Sequence, residues 1–231
     1  MVAKFDLNLH KRVLINLLIE IFKKLNGKVA LKGGTCAYLF YNLNRFSFDL
    51  DFDALEELKK EEFNEIKEIF SRNGRIKDFF QKRFTTFFLF DYGKDYPNIK
   101  IEFNYRIWKN NNYKTIWFMG IRMKIFDETT LLTNKLVTLT ERKTAVPRDL
   151  FDVYFFLNLN FPINEKLIEE RTKKSKKEYL KFLIKFIQKN YNSRNILQGL
   201  GEILEKKQKE WIKKELILAT IKEIKKAIKK Q

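Results

Sequence analysis

The chain has 231 residues, is 45% hydrophobic, and carries 47 Lys and Arg against 29 Asp and Glu, a net charge of +18 with a single His and a single Cys. That length suits one α/β domain with a smaller helical one, and lone Cys36 and His10 exclude an internal disulfide, a cysteine zinc site and histidine-based catalysis. No apolar run approaches about 18 residues and no signal pattern opens the chain, so no membrane or secretion is expected and the location read from sequence is cytoplasmic.

In chain order, Leu7 to Leu25 has helical apolar spacing and ends at Asn26-Gly27, a natural stop; His10 is expected on its surface. Lys28 to Leu31 is apolar and β-compatible, and Gly33-Gly34 breaks it. Thr35 is then expected as N-cap of a short helix over Cys36 to Tyr41. Phe48 to Asp53 alternates apolar and acidic residues, the strand period, which puts Asp49, Asp51 and Asp53 on one face. Ala54 to Arg72 reads as a helix stopped by Asn73-Gly74. Phe79 to Asp91 and Ile99 to Ile107 read as strands joined by a hairpin-like connection over Tyr92 to Asn98. Ile116 to Phe126 reads as one strand with a bulge at Met119-Gly120, and the pattern is helical from Thr129 to the end. The expected architecture is α+β: a mixed β-sheet core flanked by helices over residues 1–157, then a basic C-terminal helical bundle over 158–231.

The chemistry concentrates between Ala30 and Asp53. A glycine turn at a helix start offers backbone N–H groups to phosphates, and Gly33, Gly34 and Thr35 stand roughly fifteen residues before Asp49 and Asp51. Two carboxylates on a strand suit the Mg²⁺ that rides on a triphosphate. Three like charges on one face otherwise ask for a cation or a solvated edge. Glu102 faces away from the apolar side of its strand, and beside the Asp strand it would complete a carboxylate triad for a two-ion site. Arg45 is placed to offset phosphate charge, and Ser47 either bonds phosphate or fixes the turn. Lys135 sits at the edge of the stripe formed by Leu132, Leu136 and Leu139, where a lysine snorkelling off the core is equally reasonable. Pro147 starts a helix with Asp149 in its first turn, a place the helix dipole favours for an acid on structural grounds alone.

Lys32-Gly33-Gly34-Thr35 followed by Arg45-Phe46-Ser47-Phe48-Asp49-Leu50-Asp51-Phe52 resembles the AbiEii/AbiGii toxin family of nucleotidyltransferases, within the DNA-polymerase-β-like superfamily. The likeness is close there and looser through Lys135 and Arg148-Asp149-Leu150-Phe151-Asp152, covering roughly residues 10 to 157. It implies a nucleotidyltransferase-type sheet and a site that binds nucleotide through Lys32, Gly33, Gly34, Thr35, Arg45, Ser47, Arg148 and Asp149. It implies two Mg²⁺ ions on Asp49, Asp51 and Glu102, with Lys135 as a cation for the triphosphate. It places a functional acid in the Arg148 to Asp152 segment without choosing between Asp149 and Asp152. It further implies the toxin of a toxin–antitoxin pair, with a cognate antitoxin, an NTP as substrate, and in some relatives addition to the acceptor end of tRNA.

The charge bears on the acceptor. Residues 161–231 hold 20 Lys and Arg against 9 Asp and Glu, so the basic field is concentrated there, as a polyanion such as RNA would require. A Lys-rich solvated surface accounts for the same count. A small-molecule nucleotidyltransferase, and a non-catalytic module of the same fold that binds RNA or a partner protein, remain as alternatives.

Overall fold

The computed structural model describes residues 6–200 and 206–230. They form two compact units, residues 6–107 with 113–126, and residues 108–112 with 127–200 and 206–230. The break expected between residues 157 and 158 falls at the end of a helix within the second unit. The helix expected to run through 201–205 and 231 lies there outside the described residues.

The first unit begins with α1 (Leu7–Leu25), whose first turn is held by the Asp6 carboxylate accepting from the Asn8 and Leu9 N–H groups at 2.8 and 3.2 Å. There follow β1 (Val29–Lys32), α2 (Gly33–Phe40), β2 (Leu50–Ala54), α3 (Lys60–Asn73), β3 (Arg75–Lys82), β4 (Thr85–Asp91), β5 (Ile99–Asn104), β6 (Tyr113–Phe118) and β7 (Ile121–Phe126). The strands make a seven-stranded sheet in the order β3-β4-β5-β2-β1-β7-β6. β1 pairs parallel with β7 and β2 pairs parallel with β5; the other neighbours are antiparallel, so the sheet is mixed.

Alternation along the central strands sets two unlike faces. Leu50, Phe52, Phe88, Ile101 and Phe103 are fully buried, as are Leu14, Leu18 and Ile21 of α1 and Ile66 and Phe70 of α3. Phe22 meets Phe52 at 5.9 Å and Phe70 meets Phe88 at 5.1 Å, ring centre to ring centre, so the helices seal this face. Burial of such rings is the main stabilising term, at about 25 cal/mol per Å² of apolar surface. Asp51, Phe87 and Glu102 point to the opposite face and are only half-buried.

The predicted strand over Phe79 to Asp91 is a hairpin: β3 and β4 pair from Lys82↔Thr85 upward, and the reversal at Arg83 and Phe84 carries no Gly, Asn or Asp. Met119-Gly120 is not a bulge but the turn of a second hairpin, with φ of 49° and 78° at its two residues. α3 starts at Lys60, not Ala54, because Ala54 completes β2, the Leu55 N–H donates to the Lys28 carbonyl at 2.8 Å, and Glu62 reaches back to the Lys59 N–H at 2.8 Å. His10 is fully buried, ringed by Phe46, Phe48 and Tyr92, with Nδ1 2.5 Å from the Tyr92 hydroxyl.

The second unit comprises α4 (Glu128–Glu141), α5 (Pro147–Asn158), α6 (Glu165–Thr172), α7 (Lys176–Asn190) and α8 (Lys206–Lys229). Helix α4 is capped by Asp127, and α7 by a Ser175–Glu178 capping box. Buried Leu132, Leu136 and Leu139 form the predicted stripe, and the Tyr179 hydroxyl donates to the Leu136 carbonyl at 2.7 Å. Among the described residues no helix is long and apolar enough to cross a membrane.

Candidate active site

The glycine turn lies where β1 runs into α2. The helix begins at Gly33, with Lys32 in the capping position and no side chain capping its first N–H groups. Thr35 is therefore not the N-cap expected from sequence. It is fully buried two residues further on, and its hydroxyl donates to the Asp49 carbonyl, tying the turn to the acidic segment. That hydroxyl is directed into the protein.

Two glycines are required by what lies against them. Gly33 has φ +73°, and a Cβ there would stand 2.3 Å from Asp51 Oδ2. A Cβ on Gly34 would stand 2.6 Å from Ser47 Oγ and 3.5 Å from Arg45 Nη2. The glycine pair is thus a floor on which the side chains of Asp51, Ser47 and Arg45 rest. These five residues, drawn from three stretches of the chain, lie together and bring one acidic and one basic side chain to the same place. Arg45 Nη1 also donates to the Phe46 carbonyl at 3.1 Å, which orients the guanidinium.

The acidic row is resolved residue by residue. β2 starts at Leu50, so Asp49 precedes it; its Oδ1 accepts from the Lys100 N–H at 3.3 Å. Asp51 and Glu102 are direct partners across the parallel β2–β5 pair, which places the two carboxylates side by side on the open face. Asp53 is nearly fully buried: Lys32 Nζ lies 2.7 Å from its Oδ1, and the Tyr113 hydroxyl donates to its Oδ2 at 2.8 Å. Like-charge repulsion along the strand is relieved by this withdrawal. The Lys32 ammonium is consequently held by Asp53. Tyr113 was missed by sequence reasoning, and nothing local in Asn112-Tyr113-Lys114 signals it, because the contact spans sixty residues.

Within the second unit, Lys135 Nζ lies 2.6 Å from Asp152 Oδ2, with Asp152 fully buried on α5. Asp149, one turn earlier and also buried, meets the Arg142 guanidinium at 2.5 Å, while Arg148 is exposed. Both acids thus hold a cation of their own unit.

Among the described residues no group of three or more His, Cys, Asp or Glu is assembled to hold a metal ion. The donors present nevertheless fit Mg²⁺. It takes hard oxygens and is commonly held by one or two carboxylates, the remaining positions going to water and substrate phosphates, not by an all-protein cage. Asp51 and Glu102 are such a pair, and Gly33 leaves room for the Asp51 carboxylate where any side chain would displace it.

Comparison with known proteins bears on the whole chain. The family described as nucleotidyl transferase AbiEii toxin, type IV toxin–antitoxin system, matches residues 17–229. Comparison with the curated proteins gives no match. Among solved structures, a protein from H. pylori described as a nucleotidyltransferase superposes with a TM-score of 0.61 at 22% identity, covering 97% of both chains. JHP933 from Helicobacter pylori superposes with a TM-score of 0.58 at 22% identity, covering 95% of this chain and 93% of that one. At such identities the two structures speak for the fold.

Proposed function

The chain belongs to the AbiEii family of nucleotidyltransferase toxins, and from that premise we propose that it moves a nucleoside monophosphate from an NTP to a hydroxyl of RNA, at the acceptor end of tRNA, as the toxin of a toxin–antitoxin pair. The observation that carries the site assignment is the Asp51–Glu102 cross-strand pair beside a glycine floor that admits no side chain.

In this reading the triphosphate lies over Gly33 and Gly34, where backbone N–H groups at the start of α2 and the Arg45 guanidinium meet its charge. Ser47 positions the turn or bonds a phosphate oxygen. Asp49, Asp51 and Glu102 would hold Mg²⁺, which when bound supplies charge neutralisation and a lowered pKa for the acceptor hydroxyl. The acceptor oxygen bonds to the α-phosphorus as the bond from that phosphorus to the bridging oxygen breaks. Pyrophosphate leaves with the electron pair, and the hydroxyl proton passes to a carboxylate or water. Holding the two reactants in line on a rigid sheet accounts for much of the acceleration. For Lys135, Arg148, Asp149 and Asp152, the support for a part in this chemistry is the family resemblance. RNA as acceptor is supported by the net charge of +18.

Purified protein, each α-labelled NTP in turn, Mg²⁺ and total cellular RNA form the test, with an Asp49→Ala/Asp51→Ala control. Label on a tRNA-sized band only with the wild-type chain supports the proposal and names the nucleotide. Label on a small molecule or on nothing sinks it.

A further inference from the structure

The open sheet face carries more than carboxylates. Strand register aligns Lys32 with Asp51, Asp51 with Glu102, Glu102 with Phe87, and Phe87 with Phe80. Directly paired residues share a face, so these five side chains form one row across β1, β2, β5, β4 and β3. The Phe80 and Phe87 rings are stacked, 4.7 Å between centres and 14° between planes. Phe80 is 36% exposed at the sheet edge, as is Phe79 at 38% on the other face, whereas the more central Phe88 and Phe103 are fully buried. A stacked pair of phenylalanines flush with two acidic side chains and open to solvent is not explained by the core.

The surroundings of the pair are cationic. Lys82 Nζ lies 4.8 Å from the centre of the Phe80 ring, and Lys100, exposed, stands two residues before Glu102 on the same face. Beyond Lys82 at the hairpin tip, Arg83 lies over exposed Phe84 at 5.1 Å. Asp78 is the opposing charge on β3. Rings interleaved with cations on one edge recognise single-stranded nucleic acid, bases on rings and phosphates on cations.

We propose that the Phe80–Phe87 pair is the platform on which the base at the RNA acceptor end stacks, with Lys82 and Lys100 taking its phosphates. This rests on the reading of the carboxylate site given above. The order of the row gives the direction: the glycine floor adjoins Asp51 at one end, Glu102 lies in the middle, and the rings continue away from the triphosphate. With strands about 4.8 Å apart, Phe80 lies roughly 10 Å from Glu102, within reach of a terminal nucleotide whose hydroxyl is at the carboxylates. The rings therefore serve the acceptor and not the base of the NTP.

The test uses the full chain, an unstructured RNA oligomer with 2-aminopurine at its 3′ end, Mg²⁺ and a non-transferable NTP analogue. The wild-type chain is expected to quench the 2-aminopurine on binding. Phe80→Ala should lose the quench and weaken RNA binding by roughly tenfold, while Phe80→Trp keeps both; binding of the Mg²⁺–NTP analogue, read by calorimetry, should be the same in all three. Unchanged quench and affinity in Phe80→Ala would overturn the platform. So would equal loss in Phe80→Ala and Phe80→Trp, which marks a contact that does not depend on ring stacking. A wild-type chain that binds no RNA yet labels a small molecule would overturn the RNA reading itself; RNA labelling that Phe80→Ala leaves intact would overturn the platform alone.

Discussion

Gly33→Ala separates backbone strain from damage to the site. At φ +73° an alanine costs about 1–2 kcal/mol in backbone strain alone. Its methyl would also stand 2.3 Å from Asp51 Oδ2 and 3.1 Å from Asp51 Cβ and Cγ, well inside contact distance. The carboxylate is the free end of a side chain, so it will turn away, and the collision appears as misplacement of Asp51 more than as lost stability. A shift of about 1 Å in a reacting group costs on the order of 100-fold in rate. Gly27→Ala is the control, since Gly27 has φ +83° with nothing within 4 Å of an added Cβ. Both variants should lose about 1–2 kcal/mol in urea unfolding. Only Gly33→Ala should lose nucleotidyl transfer, by roughly two orders of magnitude. Transfer by Gly33→Ala within twofold of wild type would refute the argument that the Asp51 carboxylate must rest on a bare glycine.

Thr35→Val keeps shape but removes the hydroxyl donated to the Asp49 carbonyl; buried as it is, the loss should be about 1–3 kcal/mol in urea unfolding, against nearly none if that bond is not made. Lys135→Met takes the cation from fully buried Asp152 and should cost about 3–5 kcal/mol, whereas Lys24→Met, in an exposed pair with Glu65, should cost under ~1 kcal/mol; equal costs would contradict the burial argument. Burial holds the His10 imidazole at about 4, below its ordinary 6.5. The unfolded chain then binds more protons between those values, so folded-state stability should fall as pH drops through that window. His10→Phe should flatten that part of a thermal-melt pH profile, and an unchanged slope would refute the assignment.

Much of the site was legible in the sequence because its parts are local. The glycine turn, the alternation of Phe48 to Asp53, and the apolar face of Ile99, Ile101 and Phe103 each announce themselves within a few residues, and the register then sets Asp51 beside Glu102. What stayed hidden depends on distant partners. Asp53 looks like its neighbours in sequence, and it is withdrawn where Lys32 and Tyr113 reach it. His10 sits on an amphipathic helix and is buried by aromatic residues roughly 36 to 82 positions away. The hairpin at Arg83 and Phe84 lacks turn residues, so two strands read as one, and the pairing that stacks Phe80 on Phe87 was lost with it.

In the proposed site Asp49, Asp51 and Glu102 hold the ions that serve a bound triphosphate. Mn²⁺ binding followed by electron paramagnetic resonance, with a non-transferable NTP analogue present, tests it without relying on an acceptor. Two ions are expected for the wild-type chain, fewer for Glu102→Gln, and loss of both for Asp49→Ala/Asp51→Ala. Equal Mn²⁺ binding by wild type and by Asp49→Ala/Asp51→Ala would contradict it.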